Sequence, residues 1–472
     1  MSEKQSLVKE ALRIAWPAVL ESFFVSLASM IDTYMVSGLG TYAVAAVGLT
    51  TQPKFLALAL FFSTNIAVSA LVARRRGQND KHNANEILVT ALLFTIISCA
   101  IISFVTVVGG DLIIDWCGSN KDTHVPAVEY FHIIQGGMIF SVLSLVINAA
   151  QRGSGNTKIA MTTNVVSSLV NITFNYLLIT GNCGFPRLEL RGAALATVLG
   201  TVVACLMSFR SLFKKNSFVS LPYIFKEKIK PAFSTLKSIL SLSINFLLEN
   251  LAMRVGFIYT AVIAARLGTE AFAAHNVGMN FLSLGFSFGD GMQVAAVALI
   301  GRSLGERQPD KAKKYGSICQ RIGFGISCIL AAILFLFGKT LFGFFFKDQE
   351  TLQIGITISR YIMVIVLFQI SQVIFGGSLR GAGDVKYTLF SSLLSVTFIR
   401  TAVTWLLTSI IPLGIAGIWI GILSDQFSRF ILLSIRFSRI SVFLGSVQGG
   451  DPLLIREAFL CSTGFVYAYL HR

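Results

Sequence analysis

Carboxylates stand inside several long apolar stretches of this 472-residue chain. Glu21 and Asp32 lie in the first such stretch, from Trp16 to Ser37, and Glu249 lies in a later one. An Asp at the centre of a membrane helix is disfavoured by about 3 kcal/mol, so such residues indicate function, here the binding of a proton or sodium. Glu21 and Asp32 are 11 residues apart. That spacing places them on one helix face, about 16 Å apart, and we expect this face to point into protein or water.

The composition indicates that helices crossing a membrane position these residues. Hydrophobic residues make up 54% of the chain and charged residues only 13%. Apolar stretches of about 20 residues are long enough to span a bilayer. We predict an all-α polytopic membrane protein with twelve transmembrane helices. The predicted spans are 13–37, 50–73, 88–109, 126–150, 160–181, 192–213, 238–264, 276–301, 317–345, 356–379, 387–411 and 414–438.

The chain contains an internal repeat with a constant offset in residue number. The offset takes Leu20-Glu21 to Leu248-Glu249, and it takes the RGSG of residues 152–155 to the RGAG of residues 380–383. Asp32 has no acidic copy, because its counterpart is Thr260. The repeated glycines predict tight bends between helices at the inner surface. Six spans per repeat is an even number, so the two lobes are predicted to be pseudo-symmetric about an axis along the membrane normal.

The repeat and a basic connection divide the chain. We expect an N-lobe of helices 1–6 over residues 1–213, a basic cytoplasmic linker over residues 214–237 and a C-lobe of helices 7–12 over residues 238–438. The apolar runs in residues 439–472 are too short for another span, so this segment is expected to be a cytoplasmic tail.

The distribution of basic residues predicts the orientation in the membrane. With the N-terminus inside, the inner segments carry 26 Lys and Arg and the outer loops carry 6. Positive loops stay in the cytoplasm, so both termini are predicted to be cytoplasmic in a protein of the plasma (inner) membrane. The net charge of +16 is spread over many loops and does not form one face, which excludes nucleic acid as a partner.

The sequence offers no chemistry that would make the protein an enzyme. The G-x-x-x-x-G-K-[ST] phosphate loop is absent, which excludes an ATPase within the chain. The seven cysteines include no C-x-x-C pair and the five histidines include no pair at metal spacing. We therefore expect no cofactor, and coupling to a proton or sodium gradient through intramembrane carboxylates.

Further polar residues in or beside the spans are candidates for lining a substrate cleft: Glu21, Asn245, Gln369, Gln372 and His275. Asn245 is one helical turn before Glu249 and could be its polar partner. Glu21 lies closer to the inner face, where snorkelling or helix packing is the favoured role. His275 stands where the eighth span begins, and a structural role is favoured for it as well. Asn171 and Asn175 are one turn apart on the fifth helix, a spacing that also suits hydrogen bonds that hold helices together.

Several motifs in order resemble the multidrug and toxic compound extrusion (MATE) family, from about residue 11 to residue 440. The motifs are IDTYMVSGLG at 31–40, NITFNY at 171–176 with RGAALAT at 191–197, LGTEAFAAHNVGMN at 267–280, GDGMQVAAVALIGRSLG at 289–305 and SLRGAGDVK at 378–386. The resemblance implies two six-helix lobes around a cleft that opens alternately to each side. It also implies export of organic, often cationic, compounds in exchange for protons or sodium.

The resemblance also implies roles for particular residues. Asp32, Asn171, Asn175 and Thr197 match an N-lobe cation site that takes a proton or sodium. Glu249 matches a seventh-helix glutamate that serves as a proton carrier or substrate counter-ion. The tenth-helix position that is an aspartate in the NorM-like branch is Gln369 here, which argues against a two-carboxylate sodium site in the C-lobe.

The sequence leaves three other functions open. A flippase for lipid-linked saccharides, from a related branch, would favour a basic cleft rather than these carboxylates. A multispan membrane enzyme would need clustered His, Asp or Cys near one interface. A receptor or channel is disfavoured by the duplicated halves, which favour alternating access. We expect a monomer in the lipid bilayer whose partners are small organic molecules.

Overall fold

The computed structural model describes residues 3–39, 41–117, 119, 121–214, 217–346 and 349–439, and these are α-helical for most of their length, without a β-strand. The helices are α1 (Glu3–Ser37), α2 (Thr41–Gly77), α3 (Lys81–Val108), α4 (Gly110–Trp116), α5 (Lys121–Gly136), α6 (Met138–Gly153), α7 (Thr157–Leu178), α8 (Glu189–Leu212), α9 (Leu221–Lys226), α10 (Phe233–Arg266), α11 (Thr269–Gly305), α12 (Pro309–Gly343), α13 (Gln349–Ala382), α14 (Val385–Ser392), α15 (Arg400–Trp405) and α16 (Ile415–Ser438).

The prediction of an all-α polytopic membrane protein is confirmed. Within the described ranges, ten helices are long and apolar enough to cross a membrane, and the bent pair α5 and α6 makes an eleventh. The remaining predicted span, the fifth, is α7, a helix of 22 residues. It is less apolar because it contains Asn164, Asn171 and Asn175 together with several Ser and Thr. A polar membrane helix of this kind needs partners inside the protein.

Two of the predicted spans are less regular than expected. The fourth, predicted as a continuous helix over 126–150, bends by 45° where α5 ends at Gly136 and α6 begins at Met138. At the bend a Cβ on Gly137 would lie 2.6 Å from Val198, so a side chain there would separate the bend from α8. The eleventh span alternates α-helix with the π-helical segments Leu393–Ile399 and Leu406–Ile410.

The chain forms two compact units. The first comprises residues 13–247, and the second comprises the chain from Leu248 onward together with the segment that ends at Leu12. We call them the N-terminal unit and the C-terminal unit. Their limits fall inside α1 and α10, close to the predicted lobes but not at the linker. The lobe boundaries given by the sequence stay predictions, and the predicted tail lies outside the described residues except for Arg439.

The described part of the predicted linker packs within the N-terminal unit. Phe218, Val219 and Ile224 join a hydrophobic core with residues of α2, α3, α6 and α8. The fully buried Asn85 of α3 donates from Nδ2 to the Phe218 carbonyl at 3.1 Å, and its Oδ1 accepts from the Ser220 amide at 2.9 Å. These contacts fix the segment because buried polar groups must be paired.

The duplicated R-G-x-G motifs have the same conformation in both units. Gly155 and Gly383 follow the ends of α6 and α13 with φ of +85° and +89°, the left-handed region that glycine adopts without strain. The first glycine of each motif lies against another helix. A Cβ on Gly153 would collide with the Ser69 carbonyl, and one on Gly381 would lie 2.9 Å from the Val297 carbonyl, the corresponding position of the repeat. The predicted tight bends are thus confirmed.

Candidate functional site

The structure brings together the four residues matched to a cation site in the N-terminal unit. Asn175 on α7 donates from its side-chain amide to Asp32 Oδ1 on α1. The same amide lies 3.5 Å from Asn171 Oδ1, and Asn171 Nδ2 donates to Thr197 Oγ1 on α8 at 3.2 Å. Thr197 in turn donates to the Ala193 carbonyl at 3.0 Å. A chain of hydrogen bonds therefore connects the carboxylate to two neighbouring helices.

The direction and spacing of α1 and α7 explain how Asp32 reaches its partner. Thr157 Oγ1 donates to the Ile14 carbonyl at 3.0 Å, and Asn164 Nδ2 donates to Glu21 Oε1 at 2.5 Å. These two pairs and the pair Asn175–Asp32 share a separation of 143 residues. The two helices therefore run in the same direction with their residues in step, and both carboxylates of α1 face α7, as their spacing predicted.

Close packing of α7 against α8 positions Asn171 beside Thr197. A Cβ on Gly200 would lie 2.8 Å from the Ser167 carbonyl and 3.2 Å from the Asn171 Cβ. Ser167 also donates from Oγ to the Gly200 carbonyl at 2.8 Å. The small residue lets the helices approach closely, as is common where membrane helices pack through polar side chains.

The carboxylate of Glu249 in the C-terminal unit is buried and paired with an arginine. Arg380 Nη2 donates to Glu249 Oε1 at 2.6 Å, and Ser392 and Thr388 donate from their hydroxyls at 2.9 and 3.2 Å. Arg380 Nη1 also donates to Gln293 at 2.8 Å. The exposed fractions of the Arg380 and Glu249 side chains are 14% and 4%, so the pair is largely removed from solvent.

Glu21 makes the corresponding pair in the N-terminal unit. Arg152 Nη1 donates to Glu21 Oε1 at 2.7 Å, and both side chains are largely buried. Arg152 and Arg380 belong to the duplicated R-G-x-G motifs, and Glu21 and Glu249 are duplicates of each other. Each unit thus contains one copy of the same glutamate–arginine pair at the same sequence separation of 131 residues.

The repeat in the sequence also appears in a comparison with known families. A model of the family MatE matches residues 17–177 and matches a second time at residues 246–406. Together the two matches cover more than half of the chain. The chain belongs to the MatE family. The two matches correspond to the two halves of the internal repeat.

Individual relatives of this MatE chain are named as a multidrug resistance protein or as a transporter. A protein of Thermotoga maritima called probable multidrug resistance protein NorM is 28% identical over 435 residues, which cover 90% of this chain and 91% of the relative. The uncharacterized transporter YisQ of Bacillus subtilis is 25% identical, with 92% of this chain and 94% of the relative covered. The first name refers to multidrug resistance and the second to transport.

Solved structures share the fold of this MatE chain. One is described as the outward-facing conformation of a multidrug resistance MATE family transporter of the MOP superfamily. It matches with a TM-score of 0.85 at 24% identity, over 93% of this chain and 99% of that chain. A structure of MATE in a bent conformation matches with a TM-score of 0.84 at 23% identity, over 94% of this chain and 100% of that chain. The twelve-helix fold predicted from the sequence is that of these transporters.

Two residues of the MatE chain, Tyr130 and Lys54, interact with Asp32 and are not among the site residues predicted from the sequence. Tyr130 on α5 is buried and interacts electrostatically with Asp32. Lys54 on α2 also interacts electrostatically with Asp32. A lysine within an apolar span was a signal in the sequence. No sequence signal pointed to Tyr130, because its place near Asp32 depends on how α5 packs against the other helices.

The structure places the remaining candidates in the packing of their own units. Gln369 Nε2 donates to the Leu282 carbonyl at 3.0 Å, and Gln372 Nε2 donates to Gln426 Oε1 at 3.2 Å. The buried His275 packs edge-on against Trp419, with ring centroids 5.6 Å apart. Both observations fit helix packing, and a role in a substrate cleft stays a prediction for these three residues.

The expectation that Asn245 is the polar partner of Glu249 is wrong. Asn245 Nδ2 donates to the Ser241 carbonyl on its own helix at 2.6 Å. Glu249 instead accepts from Arg380, Thr388 and Ser392, which lie on α13 and α14. A charged donor from another helix is a stronger partner for a buried carboxylate than an amide one turn away.

Proposed function

We propose that this chain is a secondary active antiporter that exports organic, mainly cationic compounds in exchange for protons or sodium by alternating access. Membership of the MatE family and the names of its relatives support export of drugs or toxic compounds. The location proposed is the plasma membrane, and the bias of Lys and Arg toward one set of loops supports an orientation with both termini in the cytoplasm.

The partner of Asp32 is the observation on which the choice of coupling residue rests. The hydrogen-bond donor to Asp32 is the neutral amide of Asn175. Glu21 and Glu249 are instead ion-paired with arginines at 2.7 and 2.6 Å. A carboxylate that already has a guanidinium partner gains less from a proton or a metal cation. We therefore place ion coupling at Asp32 and keep Glu249 as the second candidate.

The atoms around Asp32 would suit either coupling ion. Sodium is a hard cation that prefers oxygen ligands. Such oxygens are offered by the Asp32 carboxylate, the Asn171 and Asn175 side-chain carbonyls and the Thr197 hydroxyl. The Asn175 Oδ1 atom is buried without a hydrogen-bond partner among the residues that the structure describes. A proton would bind the same Asp32 carboxylate.

Ion binding can drive alternating access only through a difference in affinity between the inward-facing and outward-facing states. Changing the population ratio from 1:99 to 99:1 takes about 5.5 kcal/mol. Each tenfold difference in proton affinity between the states contributes about 1.4 kcal/mol. A carboxylate whose surroundings change between states is thus a sufficient source for most of that energy.

Transport by reconstituted protein tests the proposal. Efflux of a fluorescent cationic dye from proteoliposomes is measured under a proton gradient alone and a sodium gradient alone, for the wild type, Asp32→Asn and Glu249→Gln. Glu227→Gln is the matched control, because Glu227 is an exposed acidic residue next to α9. We expect one gradient to drive efflux, Asp32→Asn to abolish it and the control to retain it.

Two results would contradict parts of the proposal. If Glu249→Gln is folded and correctly inserted but loses gradient-driven efflux while Asp32→Asn retains it, coupling belongs to the C-terminal unit. If correctly inserted wild-type protein moves dye under neither gradient, the antiporter proposal fails, and flipping of lipid-linked saccharides is the function to measure next.

A further inference from the structure

A second polar cluster lies in the C-terminal unit, around an arginine whose side chain makes no hydrogen bond within the described part of the chain. Arg400, the first residue of α15, is fully buried. None of its three guanidinium nitrogens has a hydrogen-bond partner among the residues described. The closest carboxylate oxygen, Asp425 Oδ2, is 3.6 Å from Nη1, and the guanidinium carbon lies 4.6 Å from the centre of the Phe257 ring. Such a buried charge is costly in a membrane span unless a partner compensates it.

The Asp425 carboxylate accepts its hydrogen bonds from Arg429 and Gln426 rather than from Arg400. Arg429 donates to its two oxygens from Nε at 2.8 Å and from Nη2 at 3.3 Å. Gln426 Nε2 also donates to Oδ2, at 3.1 Å. Two buried guanidinium groups therefore share one carboxylate. The cluster of Arg400, Arg429 and Asp425 has one positive charge in excess.

Further buried groups of the C-terminal unit lack a hydrogen-bond partner among the described residues, and they include Trp419 Nε1, Thr404 Oγ1 and His275 Nδ1. Thr404 lies about one helical turn after Arg400 on α15. Trp419 packs against His275, which interacts electrostatically with Arg400. Guanidinium and indole N–H groups can only donate. An anion would accept from these donors and would also offset the excess positive charge, which a neutral water molecule cannot do.

We propose that the C-terminal unit binds a monovalent anion at the Arg400 guanidinium, either a halide ion or the carboxylate of a small organic molecule. The site has no copy in the N-terminal unit. The offset of the internal repeat takes Arg400 back to Ile172, and it takes the cation-site residue Asp32 forward to Thr260. The two units would thus bind ions of opposite charge, and the anion site is independent of the proposed export of drugs.

Quenching of Trp419 fluorescence measures binding at this site. The other three tryptophans, Trp16, Trp116 and Trp405, are more than half exposed and are replaced by Phe so that Trp419 is the single fluorophore. Iodide is titrated into the protein in nanodiscs at constant ionic strength, with sulfate as the balancing anion. We expect quenching that saturates, and at least a tenfold weaker apparent affinity in Arg400→Gln. Arg360→Gln removes an exposed arginine of α13 and should bind iodide like the parent.

A second arm of the titration distinguishes the two kinds of anion. Acetate and benzoate are added to protein that holds bound iodide. Recovery of fluorescence by either one identifies a carboxylate site, and no recovery identifies a halide site. Quenching that rises linearly with iodide and is equal in the parent and Arg400→Gln would overturn the proposal, because the donors would then be hydrated rather than bound to an anion.

A crystallographic measurement covers the case in which Arg400→Gln does not fold. Wild-type crystals soaked in bromide should show an anomalous peak within hydrogen-bond distance of the Arg400 guanidinium. Arg400→Lys, which keeps the charge, should retain weaker saturable quenching in the single-tryptophan protein. Absence of the bromide peak from well-diffracting soaked crystals would overturn the proposal whatever the folding of the variants.

Discussion

Arg380 donates a hydrogen bond to Glu249 at 2.6 Å, and Arg152 donates one to Glu21 at 2.7 Å at the corresponding positions of the first repeat. The equal separation within each pair indicates that the gene duplication evident in the sequence preserved an ion pair as well as a helix pattern. Each pair joins the end of an R-G-x-G helix to an early helix of the repeat. The two glutamates therefore have a structural partner that their apolar surroundings alone did not reveal.

Breaking the ion pair in the C-terminal unit is expected to destabilise the protein strongly. Arg380→Gln leaves the buried Glu249 carboxylate without its cation, which costs about 3–5 kcal/mol. The double variant Glu249→Gln/Arg380→Gln removes both charges and should regain part of that loss. Thermal unfolding in detergent measures the effect, with Arg360→Gln as an exposed arginine control. A double variant that unfolds no later than Arg380→Gln would show that the charge pair is not the cause.

The second glycine of each R-G-x-G motif is expected to tolerate only small or αL-compatible residues. Gly155 and Gly383 have φ of +85° and +89°. A β-branched residue is strained there, and the left-handed conformation costs about 1–2 kcal/mol for most residues but less for Asn. We expect Gly383→Asn to unfold at a higher temperature than Gly383→Val. Equal unfolding temperatures would indicate that the positive φ is not required.

Lys54 is expected to reduce the affinity of the Asp32 site for cations. Its ammonium group interacts electrostatically with Asp32, so it competes with an incoming cation for that carboxylate. We expect Lys54→Gln to tighten sodium or cationic dye binding several-fold in an equilibrium binding assay. Lys226→Gln, which changes an exposed lysine of α9, is the control. Weaker binding by Lys54→Gln would contradict this role.

We predict that the stability of the protein depends on pH through Asp80, which lies in the turn between α2 and α3. Burial raises the pKa of its carboxyl, but two hydrogen bonds from Asn83 and the charges of Arg75 and His82 outweigh this, so the pKa lies below its ordinary value of 3.8. A carboxyl with a depressed pKa stabilises the folded state above that ordinary value, and the contribution is lost as pH falls through the folded pKa.

The variant Asp80→Ala measures this contribution. The side chain accepts from the Asn83 amide at 3.1 Å as the N-cap of α3, and loss of such a cap costs about 0.5–2 kcal/mol. The wild type should unfold at a higher temperature than Asp80→Ala at pH 6, and the difference should shrink as pH is lowered below about 4. A difference that is the same at pH 6 and pH 3 would exclude the carboxylate as its source.

The sequence alone established the class of protein, the internal repeat and the bends at the R-G-x-G motifs. It also established that Glu21 and Asp32 share one face of their helix. Hydropathy and helical periodicity depend on residues close in the chain, so they are visible without a structure. The group of Asp32, Asn171, Asn175 and Thr197 was available only through resemblance to a family. The structure then showed that their side chains meet.

Tertiary structure alone decided which distant side chains are partners. Glu21 and Arg152 are both duplicated and opposite in charge, but only the packing of the helices brings residues 131 positions apart together. The same holds for Tyr130 near Asp32 and for the linker within the N-terminal unit. It also holds for the Arg400 guanidinium, which has no hydrogen bond among the described residues. Pairing of this kind depends on which helix faces meet, and hydropathy leaves that choice open because each membrane helix is apolar on several sides.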